Sequence, residues 1–470
     1  MRRWWFGVVA AMLICWPVAV CFALRVPLPE SVEAEWTAGF KTAAPMDGDT
    51  LSDEKMITNE GRLKGSLFWA GDSFAIYATP EIRVNDGFSS RTPGGETDYS
   101  DGLTLRRNLT LSNRFMEISF RELYLEKEML GSRFRVGNQV FSWGTADLIN
   151  PTSWVNPQDL RLLFLKEEDA ITQGVPAISM LRFFDAFALE AAVVPVSISR
   201  LQSEEGNYFH VMPDNFTLPI HVDANEPAPV TFENMGVAAR LTGSLGACDL
   251  SVSAYRGPDR EPLILPIRVA TPPGKPVFVD VEPSHHAITG VGGDLSWNVG
   301  EVVVQVEGAY TFDKRGYVNQ DVSQPADVAF PYPVVHSGYW DISAGFNWFV
   351  PTINWFPNHE GETVFTLEGH GSGYTEHGLM EPLYSRSMVA RFQDSFWASR
   401  VPVSLSYMAD IKKEGEIVWG SVGYDFMNGM VVEASIYLFG GHAPAKNTVG
   451  SPFWYLRNRD LISVGLTYVF

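Results

Sequence analysis

The residues with the most chemical potential are charged side chains at alternating positions of otherwise apolar segments. Glu117 and Arg121 share one face of a segment, and Arg133, Arg135 and Gln139 share a face of the next. Farther on, Glu307, Glu368, His370, Arg391, Asp410 and Glu433 lie on the polar sides of similar segments. Opposite charges along a wall attract and discriminate ions. They also neutralise one another where a wall must be polar and stable, and both readings can hold together. The nine histidines show no metal-ligand spacing. His285 and His286 are adjacent and so point to opposite faces of a strand, and neither a His-x-x-x-His helix nor a cysteine cluster accompanies them. Serine, histidine and carboxylate residues occur, but no motif fixes a nucleophile beside a base. The sequence predicts no catalytic residue, no metal and no cofactor.

Such spacing requires strands to position it. In Val302 to Phe312 one face reads Val302, Val304, Val306, Gly308, Tyr310 and the other Val303, Gln305, Glu307, Ala309, Thr311. Trp340, Ile342, Ala344, Phe346 and Trp348 oppose Asp341, Ser343, Gly345 and Asn347 in the same way. This period of two places apolar groups on one side and polar groups on the other. A soluble sandwich has the same period with the faces exchanged. The discriminating feature is aromatic placement: Trp297, Trp348, Phe349, Trp397, Trp419, Phe439, Trp454 and Tyr455 gather near strand ends, as amphipathic rings do at membrane interfaces. Arg107 resists the pattern, because it falls on the apolar face of Leu103 to Leu111, where lipid would make it costly.

The front of the chain reads as an export signal: Arg2 and Arg3, an apolar run from Trp4 to Phe22, then cleavage after Ala23. The rival readings are an uncleaved anchor and a lipoprotein signal with Cys21 lipidated. Cys15 and Cys21 lie in this segment, so Cys248 alone remains in the body and no internal disulfide can form. No later apolar run is long enough for a membrane helix, so a membrane location requires a closed barrel. The final residues alternate strictly and end on Tyr468 and Phe470. That ending resembles the assembly signal of bacterial outer-membrane β-barrels. It implies residence in the outer membrane of a diderm bacterium, with membrane lipid and the barrel-assembly machinery as partners. A formal net charge of -20 argues against nucleic acid as a partner.

Residues 24–60 are polar and acidic and are expected to form a periplasmic extension, with the barrel over 61–470 and the signal over 1–23. From Arg62 to Ala70 through Arg459 to Phe470 we count eighteen candidate strands, among them Leu103 to Ser112; sixteen is the alternative if segments are split. Connections alternate long and short, with Ser142 to Val175, Val196 to Phe232, Gly257 to His285 and Asp313 to Ser337 as the long ones. The exceptions are Val84 to Gly102, Val350 to Glu362 and Lys412 to Glu414.

The most distinctive stretch runs Gly137-Asn-Gln139-Val-Phe-Ser-Trp143-Gly144-Thr-Ala-Asp147-Leu-Ile-Asn150-Pro151, followed by Asn156-Pro157-Gln-Asp159. Over about Glu117 to Asp159, a span set by hairpin and turn signals, the chain resembles a broad group of poorly characterised porin-like outer-membrane proteins. In these, a hairpin ending in Gly-x-Gln and Trp-Gly leads into a loop with Asn-Pro turns. The resemblance implies a channel-like role and brings no catalytic residues. Asn156, Pro157 and Asp159 are expected to start a short helix. Loop 142–175 is expected to fold inward as a constriction, where Glu167, Glu168 and Asp169 would oppose Arg121, Arg133 and Arg135. The fold expected is thus an all-β, transmembrane antiparallel β-barrel passing an unidentified small solute. A carrier of hydrophobic compounds, a surface adhesin and a barrel hydrolase are the alternatives.

Overall fold

In the computed structural model, residues 32–470 are described except 47–57, 72, 86–103, 114, 148, 163–164, 166–170, 202–219, 223–227, 262, 271–277, 320–332, 351–362, 381, 383 and 445–449. The signal segment lies outside the described residues. The first strands are β1 (Val32–Pro45), β2 (Thr58–Ala70), β3 (Ala75–Asn85), β4 (Thr104–Arg106), β5 (Thr110–Ser112), β6 (Met116–Met129), β7 (Ser132–Gln139) and β8 (Val175–Phe183). Next come β9 (Phe187–Val194), β10 (Ile220–Val222), β11 (Gly236–Leu245), β12 (Cys248–Pro258), β13 (Leu263–Ala270), β14 (Phe278–Ser284), β15 (Ala287–Val299) and β16 (Val302–Tyr317). The chain continues through β17 (Val334–Val350), β18 (Thr363–Tyr374), β19 (Arg386–Phe396), β20 (Val401–Asp410), β21 (Gly415–Asp425), β22 (Met430–Gly441), the one-turn helix α1 (Pro452–Tyr455) and β23 (Leu461–Val469).

Eighteen of these strands form one closed antiparallel barrel. Each pairs with the next around the ring, and β1 meets β23 in register from Thr37↔Val469 to Pro45↔Leu461. Closure removes the free sheet edge that lipid would not tolerate. The strands β10, β13 and β14 form a separate small sheet within the long connections, and β4 and β5 make a short hairpin against β6.

Polarity is reversed relative to a soluble core. Val306, Tyr310, Trp340, Ile342, Leu405, Ile462 and Val464 are exposed on the outside, while Glu307, Ser343, Glu368, Ser406 and Asp410 are buried on the inside. This assigns lipid to the outer face and a polar lumen to the inner one. Tight turns join strands at one end. In the β6–β7 turn Leu130 and Gly131 both have positive φ, 56° and 70°, the conformation whose twist matches a two-residue hairpin.

Two expectations are corrected. Residues 24–60 are not wholly an extension, because β1 occupies 32–45 and pairs on both sides. Its faces alternate Trp36, Ala38 and Phe40 against Thr37, Gly39 and Lys41. Leu103 to Ser112, conversely, is no barrel strand but the β4–β5 hairpin. Arg107 consequently avoids lipid and donates through Nη1 to the Ala228 carbonyl at 2.7 Å. With both changes, 86–115 becomes one long connection, and the early break in the long–short alternation disappears. The aromatic belt is also thinner than expected: Trp297, Trp348 and Trp397 are exposed, but Phe439 and Trp454 are buried.

Candidate functional site in the barrel lumen

The connection from β7 to β8, residues 140–174, reaches lumen-facing side chains on the strands opposite. Glu307 on β16 is 1% exposed. Its Oε2 accepts hydrogen bonds from the Thr145 and Ala146 amides at 2.8 and 3.1 Å, and its Oε1 from the Thr152 amide and hydroxyl at 2.7 and 2.8 Å. Glu368 on β18 accepts from the Asp147 amide at 2.8 Å and the Ile149 amide at 3.2 Å. Between them Asn347 Nδ2 donates to Asp147 Oδ2 at 2.9 Å. Carboxylates holding successive backbone N–H groups make a strong charge-assisted clamp. Glycine is required at 144: φ is +100°, and a Cβ there would lie 2.6 Å from Glu307 Oε2.

At its base the loop is closed by Asn156. The Asn156 Oδ1 accepts from the Phe141 amide at 2.8 Å, while Nδ2 donates to the carbonyls of Gln139 and Gln173 at 3.1 and 2.7 Å. The helix expected here is absent: Gln158 and Asp159 form β-bridges to Thr172 and Leu201 instead. The side chain that could cap a helix is spent on tying the two legs of the loop together. Trp143 is buried and donates through Nε1 to Glu190 Oε2 at 2.7 Å, and Trp154 stacks on Tyr255. Asn150 accepts through its carbonyl from the Ser153 amide, forming a turn.

Farther along, Leu165 joins a buried apolar cluster with Val389, Ile417, Tyr437, Phe453 and Leu461, against which Ile149 and Leu162 also pack. Lys41 Nζ on β1 donates to the Leu165 carbonyl at 2.9 Å. Arg161 Nη2 then reaches Glu117 on β6 at 2.9 Å, and the same guanidinium bridges Asp159 at 2.7 Å. The loop is thus attached to β16, β18, β1 and β6 in turn.

The remaining sequence-selected residues are placed as follows along the wall. Arg133 and Arg135 pair with Glu126 at 3.2 and 2.7 Å, and Arg135 also lies over the Tyr124 ring at 5.0 Å from its centroid. Gln139 is buried in the wall, donating to the Ala177 carbonyl at 2.9 Å and accepting from Ser179 Oγ at 2.6 Å. His370 lies 2.6 Å from Asp341 Oδ1 through Nε2 and 2.9 Å from the Tyr384 carbonyl through Nδ1. Arg391 stands between Thr366 and Ser406 in the strand register. Asp410 accepts from the Lys413 amide at 3.1 Å, Glu433 from Ser435 Oγ at 3.1 Å, and Arg121 donates through Nε to the Thr172 carbonyl at 3.1 Å. Tyr468 stacks on Phe470 beside the seam. Glu167, Glu168 and Asp169 lie outside the described residues. Near the basic wall the described loop therefore brings a base, Arg161, to a wall acid, Glu117. That pairing has the opposite polarity to the one expected.

Sequence reasoning missed Glu126, Arg161 and the Glu81 cluster. Arg62 Nε lies 3.0 Å from Glu81 Oε1, which also contacts Arg83 Nε. The Glu126↔Arg135 pair was available from the two-residue turn, whose register fixes it. Among the described residues no group of three or more histidine, cysteine or acidic side chains could hold a metal.

Fold and inner face define a membrane-type antiparallel β-barrel with a polar interior whose acids bond the connection between β7 and β8. Residues 81–390 match the model of DUF1302, a protein family of unknown function, and the chain belongs to that family. Comparison with curated proteins finds no match. Among solved structures the chain is similar to OccAB3 of Acinetobacter baumannii, at 10% identity and a TM-score of 0.48, covering 94% of this chain and 100% of that one. It is similar to OpdK of Pseudomonas aeruginosa, solved with vanillate, at 10% identity and 0.46, covering 94% and 99%. A loop-deletion form of OmpT, an outer membrane protein of Vibrio cholerae, matches at 11% identity and 0.41, covering 93% and 99%.

Proposed function

We propose that this protein is a porin-like channel for passive passage of small solutes across the outer membrane of a diderm bacterium, with loop 140–174 setting its bore. Barrels of sixteen to eighteen strands are wide enough to hold an aqueous passage. The observation that carries the reading is the attachment of the loop to Glu307 and Glu368, which supports a constriction fixed in place and not a surface cap. The barrel-assembly machinery would recognise the strand ending in Tyr468 and Phe470, and lipid would contact the exposed apolar face. Purified protein in planar bilayers tests the proposal. Discrete ion-conducting steps with a cutoff against sugars of graded size are expected, and a protein that inserts without conducting overturns it.

A further inference from the structure

We propose that the lipid-facing wall binds phosphorylated lipid headgroups through Arg256 and Arg386, with the acyl chains running along the apolar columns beneath them. The inference goes beyond the channel reading and does not depend on conduction. Both side chains are exposed on the outer face: Arg256 continues the column of Val252 and Ala254 on β12, and Arg386 begins that of Met388 on β19. The neighbours that face the lumen, Tyr255 and Ser387, are buried. Arg256 stands where β12 enters a long connection and Arg386 where β19 leaves one, which is the exterior end of such barrels.

Their ionic surroundings separate these two from the arginines inside. Arg135 and Arg240, which face the lumen, hold carboxylates at 2.7 and 3.1 Å. Among the described residues neither Arg256 nor Arg386 enters an ion pair. Arg256 Nη1 donates at 2.9 Å to Oγ1 of Thr289, its cross-strand partner on β15, which leaves most of the guanidinium donors open. Glu416, an acid on the same outer face, accepts instead from Tyr407 Oη at 2.9 Å. A cation on a lipid-facing wall is costly without an anion, and the described residues supply none. A phosphate at the headgroup level matches the planar fork. The neighbours suit the rest of a lipid. Val237 pairs with Arg256 across the strands, and Val230 and Phe232 on the turn before β11 are exposed. Arg386 pairs with Gly371, where a Cβ would lie 3.4 Å from the Trp340 ring, and its carbonyl accepts from the amide of exposed Ile411. Apolar groups beside a cation follow the passage from headgroup to chain.

Native mass spectrometry of the detergent-solubilised full chain tests the proposal with two lipids of equal chains. Dioleoyl phosphatidic acid carries a phosphate monoester, whereas the phosphate of dioleoyl phosphatidylcholine is masked by choline. Phosphatidic acid is expected to bind about tenfold tighter. Arg256→Gln and Arg386→Gln should each reduce that preference about threefold, and the double variant should abolish it. Heat-modifiable migration checks that each variant is folded. Inorganic phosphate has no chains to lay on the apolar columns and should not displace the lipid; displacement would mark a site for free anions and overturn the lipid assignment. Equal binding of the two lipids, or a full preference retained in the folded double variant, overturns the proposal. Because binding is read in detergent, a barrel that fails to conduct leaves the lipid site standing, and loss of the lipid preference leaves the channel standing.

Discussion

Two sectors of the lumen treat their carboxylates differently. On β3 and β6 the acids face guanidiniums, as in Glu81 with Arg62 and Arg83 or Glu126 with Arg133 and Arg135 of β7. On β16 and β18 the acids Glu307 and Glu368 face backbone amides of the loop. One sector is a wall that balances its own charge. The other is a mooring whose carboxylates accept from peptide N–H groups of the loop. Identical residue types at the same alternating positions thus acquire opposite roles, decided by what the connection between β7 and β8 presents to them.

The comparison can be broken most forcefully by removing the moored object. Deleting Asn150 to Asp169 should raise single-channel conductance about twofold or more, since the bore would then be set by the barrel wall. Unchanged conductance in an assembled variant would place the loop outside the conducting path. Replacing Glu307 by Ala should come next. Each hydrogen bond to a charged acceptor is worth about 1.5–3 kcal/mol and such losses are not additive, so we expect a net cost of about 3 kcal/mol, read as faster proteolysis within 140–174. Glu307→Gln should retain part of the protection.

The balanced wall gives a smaller response. Arg133→Glu with Arg135→Glu should shift the reversal potential in a salt gradient toward cations, by about a twofold change in permeability ratio, because Glu126 would lose its partners and join the added negative charge. The smallest effect is expected at the rim. Burial, offset in part by Asp259 and reinforced by Arg315, Lys314 and His336, lowers His286 from its ordinary value to about 4. Neutral His286 accepts the Arg315 amide at 3.2 Å through Nε2. The folded pKa is depressed, so this contribution is complete above about 6.5 and is lost as pH falls through about 4. The protection factor of the Arg315 amide, its exchange rate relative to the unprotected amide at the same pH, should fall over that window in the wild type and not in His286→Asn.

Alternation alone carried most of the fold, because period-two polarity survives in nearly every wall strand. It failed at both ends of its range. In β1, Glu33, Glu35, Lys41 and Pro45 gave a polar texture that concealed a strand paired on both sides. In Leu103 to Ser112 the texture suited a strand, but the chain turns back at 107–109. The two errors cancel, so eighteen strands were anticipated from a partly different set. Glu307 and Glu368 were legible as lumen residues. Their partners were not, because backbone amides have no sequence signature and the match spans more than 150 positions. The Asn156 clasp was hidden for a related reason: the same side chain suits a helix start, and only the returning Gln173 decides between them.

The seam between β1 and β23 bears on how the molecule is made. Every other junction of the ring joins strands that follow one another along the wall, whereas this one joins Thr37 to Val469. Chain entropy opposes such a meeting by about 0.6 kcal/mol for each doubling of the enclosed length, or about 3 kcal/mol beyond a short hairpin. The thermodynamic toll is modest, but the search spans most of the chain, since the second partner of β1 is β23. A ribbon growing by hairpins would become a tube in a single late event, and Trp36, bonded through its backbone to Phe470 in both directions, would be among the last residues to find its place.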